Sequence, residues 1–187
     1  MLTDEPFELD VTERELIAEG RIVSFVRERF EYNSVEMARE FFVHPGAVAV
    51  LALNDDGRVL LIKQYRHPVR TRAWELPAGL LDVAGESLLT AAQRELAEEA
   101  DLVASDWSVL IDLTTSSGSS NEVVRIFLAR DLTPSAENYA REAEEADMEV
   151  RWVPLGEAVE AVLAGSIRNS ILIAGVLAIA ARQAIVS

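Results

Sequence analysis

GLLDVAGESLLTAAQRELAEEADL, residues 79–102, is the stretch whose reading decides the fold. A Leu-Pro-Ala-Gly turn, Leu76 to Gly79, leads into it. Its second half, Arg94-Glu95-Leu96-Ala97-Glu98-Glu99, has the composition of a helix. On a helical wheel Leu89, Ala92, Leu96 and Ala100 fall on one stripe, which predicts a face turned to a core. Glu95 and Glu99 are four residues apart and stack on one flank, with Glu98 beside them. Like charges at this spacing cost a helix about 0.2–0.5 kcal/mol per pair, and Arg94 can offset part of that through Glu98. A helix edge of carboxylates suits a hard divalent cation, Mg²⁺ or Mn²⁺, because such ions prefer oxygen ligands. Met alone, a string of this kind is more often a solvated acidic face. The glycine turn and the Gly85-Glu86 pair, at fixed distances before the helix, weigh against that reading.

Taken together these residues resemble the Nudix hydrolase box: Gly, five residues, Glu, seven residues, then Arg-Glu-hydrophobic-any-Glu-Glu-any-Gly-hydrophobic. Gly79, Glu86, Arg94, Glu95, Leu96, Glu98, Glu99 and Leu102 supply it. Two positions depart. Six residues separate Gly79 from Glu86, and Asp101 stands where the family has glycine. That glycine ends the helix in a left-handed conformation, which Asp tolerates better than most residues. The longer loop, after Glu75-Leu76-Pro77-Ala78-Gly79, resembles the ADP-ribose pyrophosphatase branch.

The resemblance implies an α/β (α+β) fold: an α/β/α sandwich with a mixed sheet over residues 44–187. To this is added a small N-terminal antiparallel β region, residues 1–43, of the kind exchanged between the subunits of a homodimer. It implies hydrolysis of the pyrophosphate bond of ADP-ribose to AMP and ribose 5-phosphate. The implied metal ligands are Glu95, Glu98, Glu99 and the Ala78 carbonyl, with Arg94 orienting the glutamates. Arg66, in Gln64-Tyr65-Arg66, is placed on a substrate phosphate, and Glu75 on the substrate. In the loop 115–121 this branch carries a Pro-Gly pair; here the pair is Ser117-Gly118, whose backbone N–H groups suit a phosphate. A further catalytic glutamate is implied before the strand that starts at Met148. Glu145 takes that place first, then Glu144, then Glu142, and composition alone does not choose among them. Other readings stay open: a Nudix pyrophosphatase for another nucleotide sugar or a dinucleotide, and a non-catalytic sensor of ADP-ribose-like ligands.

The bulk properties bound these readings. The chain has 187 residues, half of them hydrophobic, enough for one domain with a sizeable core. Net charge is −15, which disfavours nucleic acid, whose phosphates call for Lys and Arg. An anionic diphosphate can still bind where cations lie between it and the protein. There is no cysteine, so no disulfide framework and no thiolate chemistry. The acidic start, MLTDEPFELD, is not a signal peptide, so a cytoplasmic protein is expected. The apolar run 171–181 is eleven residues, too short to span a bilayer.

Outward from the box, residues 11–43 alternate in three short runs broken at Gly20 and at Tyr32-Asn33-Ser34, predicting antiparallel strands. Phe25, Phe30, Tyr32, Phe41 and Phe42 are expected mostly in a core. Ala47 to Leu53 and Arg58 to Tyr65 read as strands joined by the Asn54-Asp55-Asp56-Gly57 turn. Val69 to Ala73 reads as a connecting loop. Trp107 to Thr114 and Glu122 to Ala129 read as strands, Asp131 to Asp147 as a polar acidic insertion, and Glu157 to Leu163 and Ile171 to Ile185 as helices. Neither His44 nor His67 has a partner at metal-ligand spacing, so both read as structural.

Overall fold

The computed structural model describes residues 2–137, 139 and 147–186. Its contacts divide the chain into two compact units: residues up to Pro45 with Ser116–Glu122, and residues from Gly46 to Thr115 with those from Val123 onward.

The first unit is an antiparallel sheet of β1 (Val11–Glu19), β2 (Ser24–Tyr32) and β3 (Val35–Val43), with β2 central. The turn from β2 to β3 places Asn33 and Ser34 at φ 51° and 62°, the left-handed pair that matches the twist of a two-residue hairpin. Arg27 bridges Glu15 and Glu40 across the three strands. Exposed pairs of this kind contribute about 0–1 kcal/mol each, so alignment rests on the backbone ladder. The serine-rich loop is tied to β3: Phe42 N–H donates to Ser119 O at 2.9 Å, and His44 N–H to Asn121 Oδ1 at 2.7 Å. The aromatic residues expected in a core are not fully buried. Phe25, Phe30 and Phe41 are half-buried, Tyr32 and Phe42 are exposed, and Val26 is the buried side chain of the sheet. The described elements of this unit include no helix to cover them.

The second unit carries β4 (Ala47–Ala52), β5 (Arg58–Arg66), β6 (Thr71–Glu75), β7 (Ala78–Leu80), α1 (Leu88–Ala100), β8 (Leu102–Thr114), β9 (Val123–Pro134), β10 (Glu149–Pro154), α2 (Leu155–Leu163) and α3 (Ser170–Val186). They form sheets in the orders β10-β5-β6 and β7-β4-β9-β8, with β4 and β9 parallel and the other pairs antiparallel. Alternation along β4 divides its side chains between two cores. Ala49, Leu51 and Leu53 join Leu172, Val176 and Ile179 of α3 and Leu155 and Ala158 of α2. Val48, Val50 and Ala52 join Ala91, Ala92 and Leu96 of α1. Helices therefore lie on both sides, the expected α/β/α sandwich. Gly175 lets α3 approach closely, since a Cβ there would press on Leu76 Cδ1 at 2.9 Å. None of the described helices is long and apolar enough to cross a membrane.

Three segments differ from their sequence reading. Residues 71–75 are not loop but β6, paired with β5 from Arg66↔Thr71 to Ile62↔Glu75. The strand after the box begins at Leu102, not Trp107, and its partner runs on to Pro134, into the acidic stretch. In α1 the buried set is Ala91, Ala92, Leu96, Ala97 and Glu99, while Leu89 is 38 % exposed.

Candidate active site

Capping fixes the ends of α1. Ser87 Oγ accepts from Thr90 N–H at 3.1 Å, filling one of the orphan donors of a helix N-terminus. Asp101 closes the other end at φ 54°, ψ 36°, its N–H bonded to Ala97 O and Leu96 O. This is the left-handed cap expected where the box has glycine. Burying Leu96 contributes about 1.5–3 kcal/mol, against about 0.2–0.5 kcal/mol for each like-charge pair. The core face thus outweighs the repulsion along the acidic edge.

On that edge one guanidinium meets three carboxylates. Arg94 Nε and Nη2 donate to the two oxygens of Glu86 at 3.1 and 3.0 Å, a bidentate clasp. Its Nη1 donates to Glu95 Oε1 at 2.6 Å and Glu98 Oε2 at 3.2 Å. A fourth carboxylate, Glu99, is 4 % exposed and accepts from Ala78 N–H at 2.8 Å. Gly79 belongs to the same arrangement, because a Cβ there would overlap the Glu95 carboxylate. The closeness of β7 to Glu95 is therefore a reason for glycine at this position.

Four carboxylates against one arginine leave a local excess of negative charge, and the donors are all oxygen. That set fits a hard divalent cation. Among the described residues no three Asp, Glu or His side chains are already gathered into a ligand set. Glu95 and Glu98 bond Arg94, and Glu99 bonds the Ala78 amide.

Arg66 and Glu75 form the second group. Glu75 is 5 % exposed; Arg66 Nε donates to both its oxygens at 3.1 Å and Nη2 to Oε2 at 2.7 Å. The Arg66 side chain keeps 41 % of its surface open. Gln64 and Arg66 share the strand face of Leu60 and Ile62, which pack with α1. Glu75 precedes Ala78 by three residues, at most about 11 Å of chain. Arg66, Glu75, Ala78, Arg94, Glu95, Glu98 and Glu99 all belong to the second unit, whereas Ser117 and Gly118 are exposed residues of the first. Glu142, Glu144 and Glu145 lie outside the described residues. His44 Nε2 lies 3.6 Å from Glu122 and His67 Nδ1 3.3 Å from the Tyr65 hydroxyl.

Glu86 is the residue to which sequence reasoning gave a place but no role. The signal was its spacing to Arg94, seven residues intervening. The Arg94 hydrogen bonds hold its carboxyl below the usual range, against an opposing push from burial. A depressed carboxyl pKa adds stability above the unfolded-state value, and that stability is lost as pH falls through the folded-state value. Glu86→Gln should therefore lower Tm at pH 7, and the gap to wild type should shrink as pH falls below about 4.5. Melting curves between pH 3.5 and 7 check this; a gap that stays constant would contradict it.

A cavity of about 370 Å³ in the same unit, lined by Asn54, Asp106, Arg130 and Gln183 among others, contains none of these residues. The acidic edge stands out by its chemistry.

Compared with known proteins, the chain matches the NUDIX domain over residues 43–172. It belongs to the Nudix hydrolase family. Among the relatives of this Nudix chain, the ADP-ribose pyrophosphatase of Mycobacterium tuberculosis is 52% identical over 143 residues, 76% of this chain and 69% of that protein. The ADP-ribose pyrophosphatase of Bacillus subtilis is 37% identical over 151 residues, 80% of each. A crystal structure of an ADP compounds hydrolase superposes on the Nudix chain with a TM-score of 0.78 over 95% of both chains at 22% identity, a likeness of fold.

Proposed function

We propose that this chain hydrolyses the pyrophosphate bond of ADP-ribose to AMP and ribose 5-phosphate, with Mg²⁺ or Mn²⁺ held by Glu95, Glu98, Glu99 and the Ala78 carbonyl. The observation that carries the reading is the acidic edge of α1, where Arg94 meets Glu86, Glu95 and Glu98 and buried Glu99 is bonded to the Ala78 amide. Divalent cations bound there would neutralise phosphate charge and make a water molecule more acidic. Arg94 holds Glu95 and Glu98 on the reacting side, and Glu86 holds Arg94. The Ala78 N–H, by donating to Glu99, fixes that carboxylate beside the turn. Arg66, anchored by Glu75, presents a guanidinium to a phosphate, a pairing that suits its planar fork. Glu145, by resemblance, takes the proton from the attacking water. Exposed apolar side chains on the N-terminal sheet, Leu16 and Val35 among them, support a homodimer in which this region is exchanged.

The test is chemical. ADP-ribose incubated with the full chain and millimolar Mg²⁺ should yield AMP and ribose 5-phosphate in equal amounts, with turnover lost in EDTA. The mass in sedimentation should be that of a dimer. A second reading keeps the mechanism and changes the sugar: Ser117 at the branch's proline position favours testing ADP-glucose, NADH and a diadenosine polyphosphate alongside. Faster turnover of one of these would replace ADP-ribose. No hydrolysis of any would leave a ligand-binding sensor.

A further inference from the structure

Among the described residues three polar or charged side chains are buried: Gln64, Glu75 and Glu99. Two of them have roles above; Gln64 has none. A buried primary amide costs folding free energy unless it is bonded, so its place calls for a reason. Gln64 lies in β5 two residues before Arg66. Its register partner in β6 is Ala73, two residues before Glu75, so the three side chains share one face of the hairpin. Its Nε2 donates to Glu75 Oε2 at 3.5 Å. That oxygen also accepts from Arg66 Nη2 at 2.7 Å. Hydrogen bonds in ligand-free sites are often long and tighten on binding.

An arginine–carboxylate fork fixes the two groups relative to each other. A donor from a central strand, set beside the fork, ties the glutamate to the sheet. The donor has to be neutral. A lysine would compete with Arg66 for Glu75, a carboxylate would repel Glu75, and an apolar residue would leave that side of a buried carboxylate without a donor. An amide supplies an N–H and no charge.

We propose that Gln64 is a positioning residue: it fixes the Glu75–Arg66 pair in the orientation that receives the substrate's diphosphate. This rests on Arg66 as the phosphate contact described above. Gln64→Met keeps the length and removes the donor. It should raise KM for ADP-ribose about tenfold, the lower end of what supporting residues contribute, with kcat within about threefold and Tm within about 3 °C. In an Arg66→Ala background the same substitution should leave KM unchanged, because the group it positions is gone. An unshifted KM, or an equal shift in both backgrounds, would overturn the proposal.

Gln64→Glu is the second variant. Its acid, beside buried Glu75, has a raised pKa, and once protonated it can donate as the amide did. Its KM relative to wild type should therefore fall as pH is lowered from 8 to 6. A ratio independent of pH would count against the proposal. The wild-type substrate panel separates the two readings. If another nucleoside diphosphate compound is preferred, the substrate assignment fails and the variants are measured on that compound. If none is hydrolysed, both fail.

Discussion

Glu99→Gln is expected to lower kcat for ADP-ribose by about 10³-fold, the upper end for removing one preorganised electrostatic group from a dry site. Tm should stay within about 3 °C of wild type. Glu99 is 4 % exposed and accepts a hydrogen bond from Ala78 N–H. The glutamine carbonyl can accept that bond in the same place, so the shape and this contact survive. What is lost is one negative charge from the helix that also carries Glu95 and Glu98, and a cation that neutralises a diphosphate depends on that charge. Removing it also relieves repulsion along the helix edge, so stability has little reason to fall. Steady-state kinetics at saturating Mg²⁺ with a melting curve checks both halves. A rate within about tenfold of wild type would remove Glu99 from the site.

Gly79→Ala is expected to cost about 10²-fold in kcat, the scale of a 1 Å misplacement in an active site, with little change in Tm. The new methyl would occupy the volume of the Glu95 carboxylate. β7 cannot easily retreat, because Gly79 is paired with Val48 of the buried strand β4. Glu95 must therefore move, and its 2.6 Å bond to Arg94 Nη1 goes with it. Alanine also narrows the unfolded ensemble, a gain of about 0.4–1 kcal/mol that offsets part of the lost contact. Gly156→Ala is the control: a Cβ there meets nothing within 4 Å, and kcat should not change. Equal kinetics for Gly79→Ala and wild type would show that Glu95 can be displaced without consequence.

How much of this was legible in the sequence follows from what each segment depends on. The acidic edge of α1 was legible because charge spacing along a helix is local. So were its left-handed end at Asp101 and the two-residue turn at Asn33-Ser34, where the backbone conformation favours a short list of residue types. The buried face of α1 was less legible. A wheel finds a face by its large apolar residues, and Leu89 drew the stripe toward itself. The helix instead packs through Ala91, Ala92 and Ala97 around Leu96, and alanines mark a face weakly. β6 and the start of β8 escaped notice because both strands are sheet edges. Edge strands carry polar and charged residues, so Thr71-Arg72 and Ser105-Asp106 read as loop. Gln64 was legible as a residue and not as a buried one, since its burial depends on the pairing of β5 with β6 across the hairpin. The clasp of Glu86 on Arg94 spans a loop and a helix turn, and spacing alone cannot state a distance.

The central claim is that glutamates on one helix edge hold the divalent cations on which hydrolysis depends. Titration of Mn²⁺ into the full chain in the presence of AMP, followed by the EPR signal of free Mn²⁺, tests it most directly. The expected result is saturable binding to wild type that weakens by at least about tenfold in both Glu95→Gln and Glu99→Gln. No binding to wild type, or the same binding curve in all three proteins, would contradict it.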